Sequence, residues 1–118
     1  MREDEMLLSV VVNMPDKIAG IFYAVIFEDI PYEPVSIVFR HSIYEFLTTN
    51  DLSGYEPSKI KLVGDIRARL LDFGKKMLEI DNEYKAKKDK FLQDYISSLS
   101  PYVIEKEKIR DKLTKKAL

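Results

Sequence analysis

Residues 6–27 read MLLSVVVNMPDKIAGIFYAVIF. Within this stretch the run 6–13 is rich in β-branched valine, and the run 20–27 is apolar on both faces. Both compositions are typical of strands, and the second is typical of a central strand that is covered on two sides. Pro15 lies between the runs, and proline fixes the φ angle that a turn position needs. The stretch therefore predicts two strands joined by a turn.

A third strand is predicted at 35–40, which reads VSIVFR. The segment before it, 28–34, contains Pro31 and Pro34 and is predicted to be a loop, because proline cannot donate to a sheet ladder. Short connections favour antiparallel neighbours. The N-terminal part, 1–40, is therefore predicted to form a three-stranded antiparallel meander.

The remainder of the chain, 42–118, is predicted to be helical. Ser42 and Glu45 have the spacing of a capping box. Pro57 fits the start of a second helix, and Ser100 followed by proline fits the start of the last one. A chain of 118 residues suits one domain, so the sequence predicts a single α+β domain with a helical C-terminal part.

Apolar residues at alternating spacings of three and four predict a long amphipathic helix from about residue 58. This stripe, called the seam below, consists of Val63, Ile66, Leu70, Phe73, Met77, Ile80 and Tyr84. Its arc of roughly 160° is wider than a coiled-coil seam and favours a helix that lies on the sheet beside a partner helix. In a parallel homodimer, Lys76 would face Asp81 and Glu83 would face Lys88. The seam therefore predicts self-association through this helix.

Beyond Ile80 the apolar arc narrows, and a broad apolar face returns at Phe91. Two interpretations fit this pattern. Either one long helix crosses a solvated middle section, or Asp81-Asn82 is a break between two helices.

Four lysines lie within six residues in segment 83–91, which reads EYKAKKDKF. As a nucleic-acid contact, this segment would act with the last helix. The candidate polyanion contacts are Lys85, Lys87, Lys88, Lys90, Lys112, Lys115 and Lys116, with Lys106, Lys108 and Arg110 nearby. A solvated helix face is favoured instead, because acid-first pairs four residues apart account for the charges without a ligand. Those pairs are Asp65–Arg69, Asp72–Lys76, Asp81–Lys85 and Glu83–Lys87.

The net charge of −1 is unevenly distributed along the chain. Residues 1–74 carry 7 basic and 12 acidic side chains, a net charge of −5, and residues 75–118 carry 12 basic and 8 acidic side chains, a net charge of +4. Such asymmetry indicates either a polyanion-binding half or a folded body with one acidic and one basic surface.

Few residues of this chain carry catalytic chemistry. Cysteine is absent and His41 is the single histidine, so thiolate nucleophiles and two-histidine metal sites within one chain are excluded. His41 is expected to be structural or at the surface. Glu28, Asp29 and Glu33 offer oxygen ligands for a hard cation, although such carboxylates are also common in loops. The sequence predicts no catalytic residue, cofactor or metal site.

No apolar run approaches the ~18 residues of a membrane span, and the acidic start is unlike a signal peptide. We therefore expect a soluble, cytoplasmic protein without a membrane partner. The expected function is a non-enzymatic protein–protein interaction or assembly module with a regulatory role, homo-oligomeric through the long helix. A nucleic-acid-binding protein is the second hypothesis, and a metal-dependent enzyme is the third.

Overall fold

The computed structural model describes residues 2–49, 51–80 and 85–117, with the side chains at 85, 86 and 117 left out. The described residues form helices joined by short connections and contain no strand. The helices are α1 (Glu3–Asn13), α2 (Asp16–Phe27), α3 (Ile37–Thr48), α4 (Pro57–Ile80), α5 (Lys85–Ser98) and α6 (Ser100–Ala117). The predicted α+β class, with its three-stranded meander over 1–40, is therefore wrong.

The predicted central strand at 20–27 lies within α2. This helix packs against α3 and α6, and its buried residues point in all directions around its axis. They are Ile18, Ala19, Gly20, Ile21, Phe22, Ala24 and Ile26. A short helix that is buried all round shows no amphipathic period, and its sequence resembles that of a buried strand.

The predicted strand at 6–13 is most of α1. Leu7, Val10, Val11 and Met14 are buried, whereas Val12 is 38% exposed, so the β-branched run covers both the core and the surface. The buried positions have the helical spacing of three, four and seven residues. The first turn carries three acidic residues, which stabilise a helix N-terminus.

The predicted strand at 35–40 and the predicted cap at Ser42 are both replaced by α3. Ser36 is the N-cap of this helix, and its hydroxyl accepts a hydrogen bond from the Phe39 amide at 3.4 Å. Ser42 lies inside the helix and donates to the Val38 carbonyl at 3.2 Å. The N-cap therefore lies six residues earlier than the capping-box spacing predicts.

The later helix starts are confirmed at Pro57 and Ser100. The long helix α4 packs on α1 and α3 instead of on a sheet. Ring centroids of Phe73 and Phe91 are 5.8 Å apart, whereas one continuous helix would separate these two positions by about 27 Å. Helix α5 therefore folds back along α4, and the single-rod interpretation is wrong. The predicted break at Asp81-Asn82 lies outside the described residues.

Helix α6 packs against α2. The rings of Phe22 and Tyr102 lie 5.7 Å apart, and Leu99 and Ile109 are buried. The guanidinium of Arg69 lies 5.3 Å from the centre of the Tyr102 ring and so links α4 to α6. Through these contacts α2 becomes the most enclosed helix of the fold.

Arg40 on α3 is the one buried charged residue in the part of the chain that the structure describes, with 7% exposure. Its Nε donates to the Val35 carbonyl at 2.9 Å. One terminal nitrogen donates to the carbonyls of Val11 and Met14 at 2.9 and 2.7 Å, and the other donates to the Asp16 carboxylate. One side chain therefore joins the end of α1, the start of α2 and the entry to α3.

Replacing Arg40 with methionine is expected to lower the free energy of unfolding by about 3 kcal/mol, because buried carbonyls lose their donor and Asp16 loses its counter-charge. Urea unfolding measures the loss. The matched control is Arg110→Met, since Arg110 forms an exposed pair with Glu107 at 3.6 Å. That control should change stability by less than about 0.5 kcal/mol. Equal unfolding midpoints for the two variants would contradict the role of Arg40.

Burial raises the pKa of the Tyr95 phenol from 10.0 to about 12. A phenol with a raised pKa in the folded state contributes stability that is complete below pH 10 and is lost as the pH rises toward 12. Spectrophotometric titration of tyrosinate should show a late-titrating component in wild type that Tyr95→Phe reduces. Tyr32→Phe is the control, because Tyr32 is 84% exposed, and this variant should keep the late-titrating component of Tyr95. Indistinguishable curves for the two variants would refute this assignment.

Candidate functional site

A cleft of about 570 Å³ opens between α1, α4 and α5. Helix α1 contributes Met6, Ser9, Val10 and Asn13 to its lining, together with Met14 and Pro15 just beyond the helix. Helix α4 contributes Phe73, Gly74, Met77 and Leu78, and α5 contributes Lys88 and Leu92. Most of the lining residues are apolar, although polar atoms contribute a large part of the lining surface. The volume lies within the range of protein ligand sites.

The close approach of α1 and α4 at one end of the cleft depends on Gly74. A Cβ atom added there would lie 2.5 Å from Cγ2 of Val10. At the neighbouring turns, Nε of Arg67 donates to Glu3 at 2.8 Å, and a terminal nitrogen donates to Asp4 at 3.3 Å. From the contact of Glu3 with Arg67 to the contact of Val10 with Gly74, each helix advances by seven residues. Helices α1 and α4 therefore run in the same direction.

Methionine dominates the chemistry of the cleft. Met6, Met14 and Met77 line it, which is three of the four methionines in the chain. Methionine side chains are unbranched and polarizable, so they adapt to ligands of irregular shape. At the edge, the side-chain amide of Asn13 donates to the Ser9 carbonyl at 2.8 Å. This lining suits apolar side chains better than a polar substrate.

The structure divides the predicted seam. Val63, Ile66, Leu70 and Phe73 are buried in the hydrophobic core, where α4 packs on α1, α3 and α5. Met77 and Ile80 are half-buried, and Tyr84 lies outside the described residues. The first four therefore pack within the chain, and Phe73 and Met77 are the seam residues that line the cleft.

The predicted polyanion contacts lie on two helices with different packing partners. On α5, which packs on α4, Lys87 and Lys90 are exposed and Lys88 lines the cleft. On α6, which packs on α2, the exposed cations are Lys108, Arg110, Lys112, Lys115 and Lys116, and Lys106 is half-buried. The side chain of Lys85 is not described. No described cleft collects these two groups into one basic trough.

The acid-first pairs of the solvated-face interpretation have mixed outcomes. Asp72 and Lys76 form an ion pair at 3.3 Å on exposed positions of α4. Arg69 is the predicted partner of Asp65, and it lies over Tyr102. The pairs of Asp81 with Lys85 and of Glu83 with Lys87 involve residues outside the described part of the chain.

The candidate residues for catalysis and metal binding are not assembled into a site. Across the described residues, no three His, Asp or Glu side chains are placed to hold a metal ion, and this includes Glu28, Asp29 and Glu33. Nε2 of His41 lies 3.2 Å from a carboxylate oxygen of Glu45, and both side chains are more than half exposed. His41 is thus at the surface, and the metal-enzyme hypothesis gains no support from its proposed ligands.

Sequence reasoning missed the half of the cleft that α1 supplies. With 6–13 interpreted as a strand, the sequence predicts no cleft between this segment and the long helix. The spacing of four between Met6 and Val10 could not reveal the helix, because residues i and i+4 share one face of a strand as well as one face of a helix.

No described helix is, by itself, both long and apolar enough to cross a membrane, and α1 and α2 meet that criterion only as a pair bent by 113°. Neither a family model, nor a curated protein, nor a solved structure matches this chain. The shape and chemistry of the cleft are therefore the basis for a functional proposal.

Gly74→Ala is expected to destabilise the fold by about 1 kcal/mol, because the clash with Val10 outweighs the better helix propensity of alanine. The matched control is Gly64→Ala on the same helix, where an added Cβ has open space. That control should stabilise by about 0.5–1 kcal/mol. Thermal and urea unfolding give both values.

Adding Val10→Ala to Gly74→Ala should offset part of the destabilisation that the clash causes, because it removes Cγ2 of Val10. The double variant should therefore be more stable than the sum of the single changes predicts. Strict additivity would show that the two side chains do not meet.

Proposed function

We propose that the protein is a non-enzymatic interaction module that holds apolar side chains of a protein helix in the cleft between α1, α4 and α5. The observation that carries this proposal is the open, methionine-lined cleft with Leu78 at its edge, which is 58% exposed. Soluble proteins seldom leave large apolar side chains beside an apolar cleft unless that surface binds something.

The shape of the cleft supports a helix as the bound element. Three helices line it, and a helix laid into such a groove presents side chains at positions i, i+3, i+4 and i+7. A small polar ligand would need several converging polar groups to fix its orientation. The described lining offers few, namely Ser9, Asn13 and Lys88.

A selection from displayed helical peptides tests this proposal. Peptides enriched on wild type should share apolar residues at i, i+3 or i+4, and i+7. Met77→Glu should weaken binding of the enriched peptides at least about tenfold, because it places a charge against the apolar cleft.

The matched control for the selection is Ile104→Glu. Ile104 is 57% exposed on α6, a helix that does not line the cleft. This variant should bind the same peptides as wild type. In parallel, methyl-labelled methionine places three NMR reporters in the cleft, and the enriched peptides should shift those of Met6, Met14 and Met77. The absence of any enriched helical pattern, or peptides that leave the three methyls unmoved, would overturn the proposal.

A further inference from the structure

We propose that the cleft is a site of methionine oxidation, at which a peroxide converts Met6 and Met77 to sulfoxides and so weakens the binding of an apolar partner. The methionines in the part of the chain that the structure describes are Met6, Met14 and Met77, and all of them line this cleft. The effect on binding rests on the proposed function. The oxidation itself depends only on the cleft and its thioethers.

The composition of the chain directs a peroxide to methionine. Cysteine and tryptophan are absent from the sequence. A cysteine thiolate would otherwise compete for the oxidant, whereas methionine oxidises to a sulfoxide without needing to lose a proton first. The thioethers are therefore the side chains of this protein that a peroxide oxidises most readily.

The cleft gives a small oxidant access to these side chains. It has a volume of about 570 Å³ and opens to solvent, and hydrogen peroxide is little larger than water. Met6 and Met77 are half-buried, whereas Met14 is 3% exposed. Because the oxidant must reach the sulfur atom, Met6 and Met77 should react before Met14.

The reaction needs no group from the protein besides the thioether. A lone pair of the methionine sulfur attacks one oxygen of hydrogen peroxide, a sulfur–oxygen bond forms, and the oxygen–oxygen bond breaks. The proton of the attacked oxygen passes to the departing hydroxide, which leaves as water. Sulfur is thereby oxidised by two electrons, and the peroxide is reduced by the same two.

Oxidation places a polar acceptor in a mainly apolar lining. Met6 packs over Gly74, with its Cγ and Sδ atoms 3.5 and 3.7 Å from the position that a Cβ would occupy there. A sulfoxide on Met6 therefore adds its oxygen at the close approach of α1 and α4, and one on Met77 adds it to the α4 wall. Covering such an acceptor with an apolar side chain removes it from water without supplying a donor, which costs free energy.

Mass-spectrometric peptide mapping after graded exposure of the folded protein to hydrogen peroxide tests the site. Sulfoxide should form at Met6 and Met77 at least about tenfold faster than at Met14, in the order of their exposure. The matched control is the same protein unfolded in urea, in which the three residues should react at similar rates. If Met6 or Met77 reacts as slowly as Met14 in the folded protein, the oxidation site is overturned.

Peptide binding before and after exposure to peroxide tests the consequence. Enriched helical peptides without methionine should bind the oxidised protein at least about tenfold more weakly, and methionine sulfoxide reductases should restore the binding. Combining Met6→Leu with Met77→Leu removes both thioethers at nearly constant volume. Whatever affinity this double variant has, peroxide should leave it unchanged, whereas Met14→Leu should keep the sensitivity of wild type.

The outcomes separate this inference from the proposed function. If peptides bind and oxidation leaves their affinity unchanged, the control of binding is overturned and the cleft remains a helix-binding site. If no helical pattern is enriched, the proposed function fails and the control of binding fails with it. Peptide mapping decides in either case whether the cleft is the site of oxidation.

Discussion

The guanidinium of Arg40 fixes the corner from which the rest of the fold is built. The last carbonyls of a helix have no partner within it, and here Arg40 satisfies those of Val11 and Met14 at the end of α1. The same group holds Asp16 at the start of α2 and Val35 before α3. The guanidinium of Arg40 thus supplies hydrogen-bond donors to three separate chain segments. Because Asp16 is 42% exposed, its ion pair is partly screened, and the carbonyl contacts carry much of the effect.

The cleft lies along α1, beside the C-terminal part of α4. Helix α4 has 24 residues and spans about 36 Å, whereas α1 has 11 residues and spans about 16 Å. The two helices run in the same direction, with Glu3 beside Arg67 and Val10 beside Gly74, so most of the extra length of α4 lies before the start of α1. Helix α5 packs on the same part of α4 through Phe73, Phe91 and Tyr95. Met77 and Leu78 line the cleft that remains between α1, α4 and α5.

Sequence alone predicts the elements whose signals are local. Pro57 and Ser100 mark helix starts that the structure confirms, and the long stripe of α4 is buried along its first half as helical spacing implies. The first forty residues fail because α2 is short and buried all round, and because the exposed face of α1 includes the apolar Leu8 and Val12. The role of Arg40 could not be predicted, since three of its four partners are backbone carbonyls 26 and 29 residues away and a carboxylate 24 residues away. The cleft could not be predicted for the same reason, because α1 forms one of its walls.

Exposure by itself does not mark a binding surface in this protein, and the aromatic residues near the start of α4 show why. Phe27 and Tyr55 are 38% and 39% exposed, yet their rings lie 6.1 and 6.2 Å from that of Phe46. Lys59 donates to the Ile26 carbonyl at 2.6 Å and lies 5.7 Å from the centre of the Phe46 ring. Internal contacts therefore explain that surface. Met77 and Leu78 differ because they adjoin a recess, so filling it removes apolar area from water on both sides. One stripe on α4 thus serves the core over its first half, and Met77 beyond that half lines the open cleft.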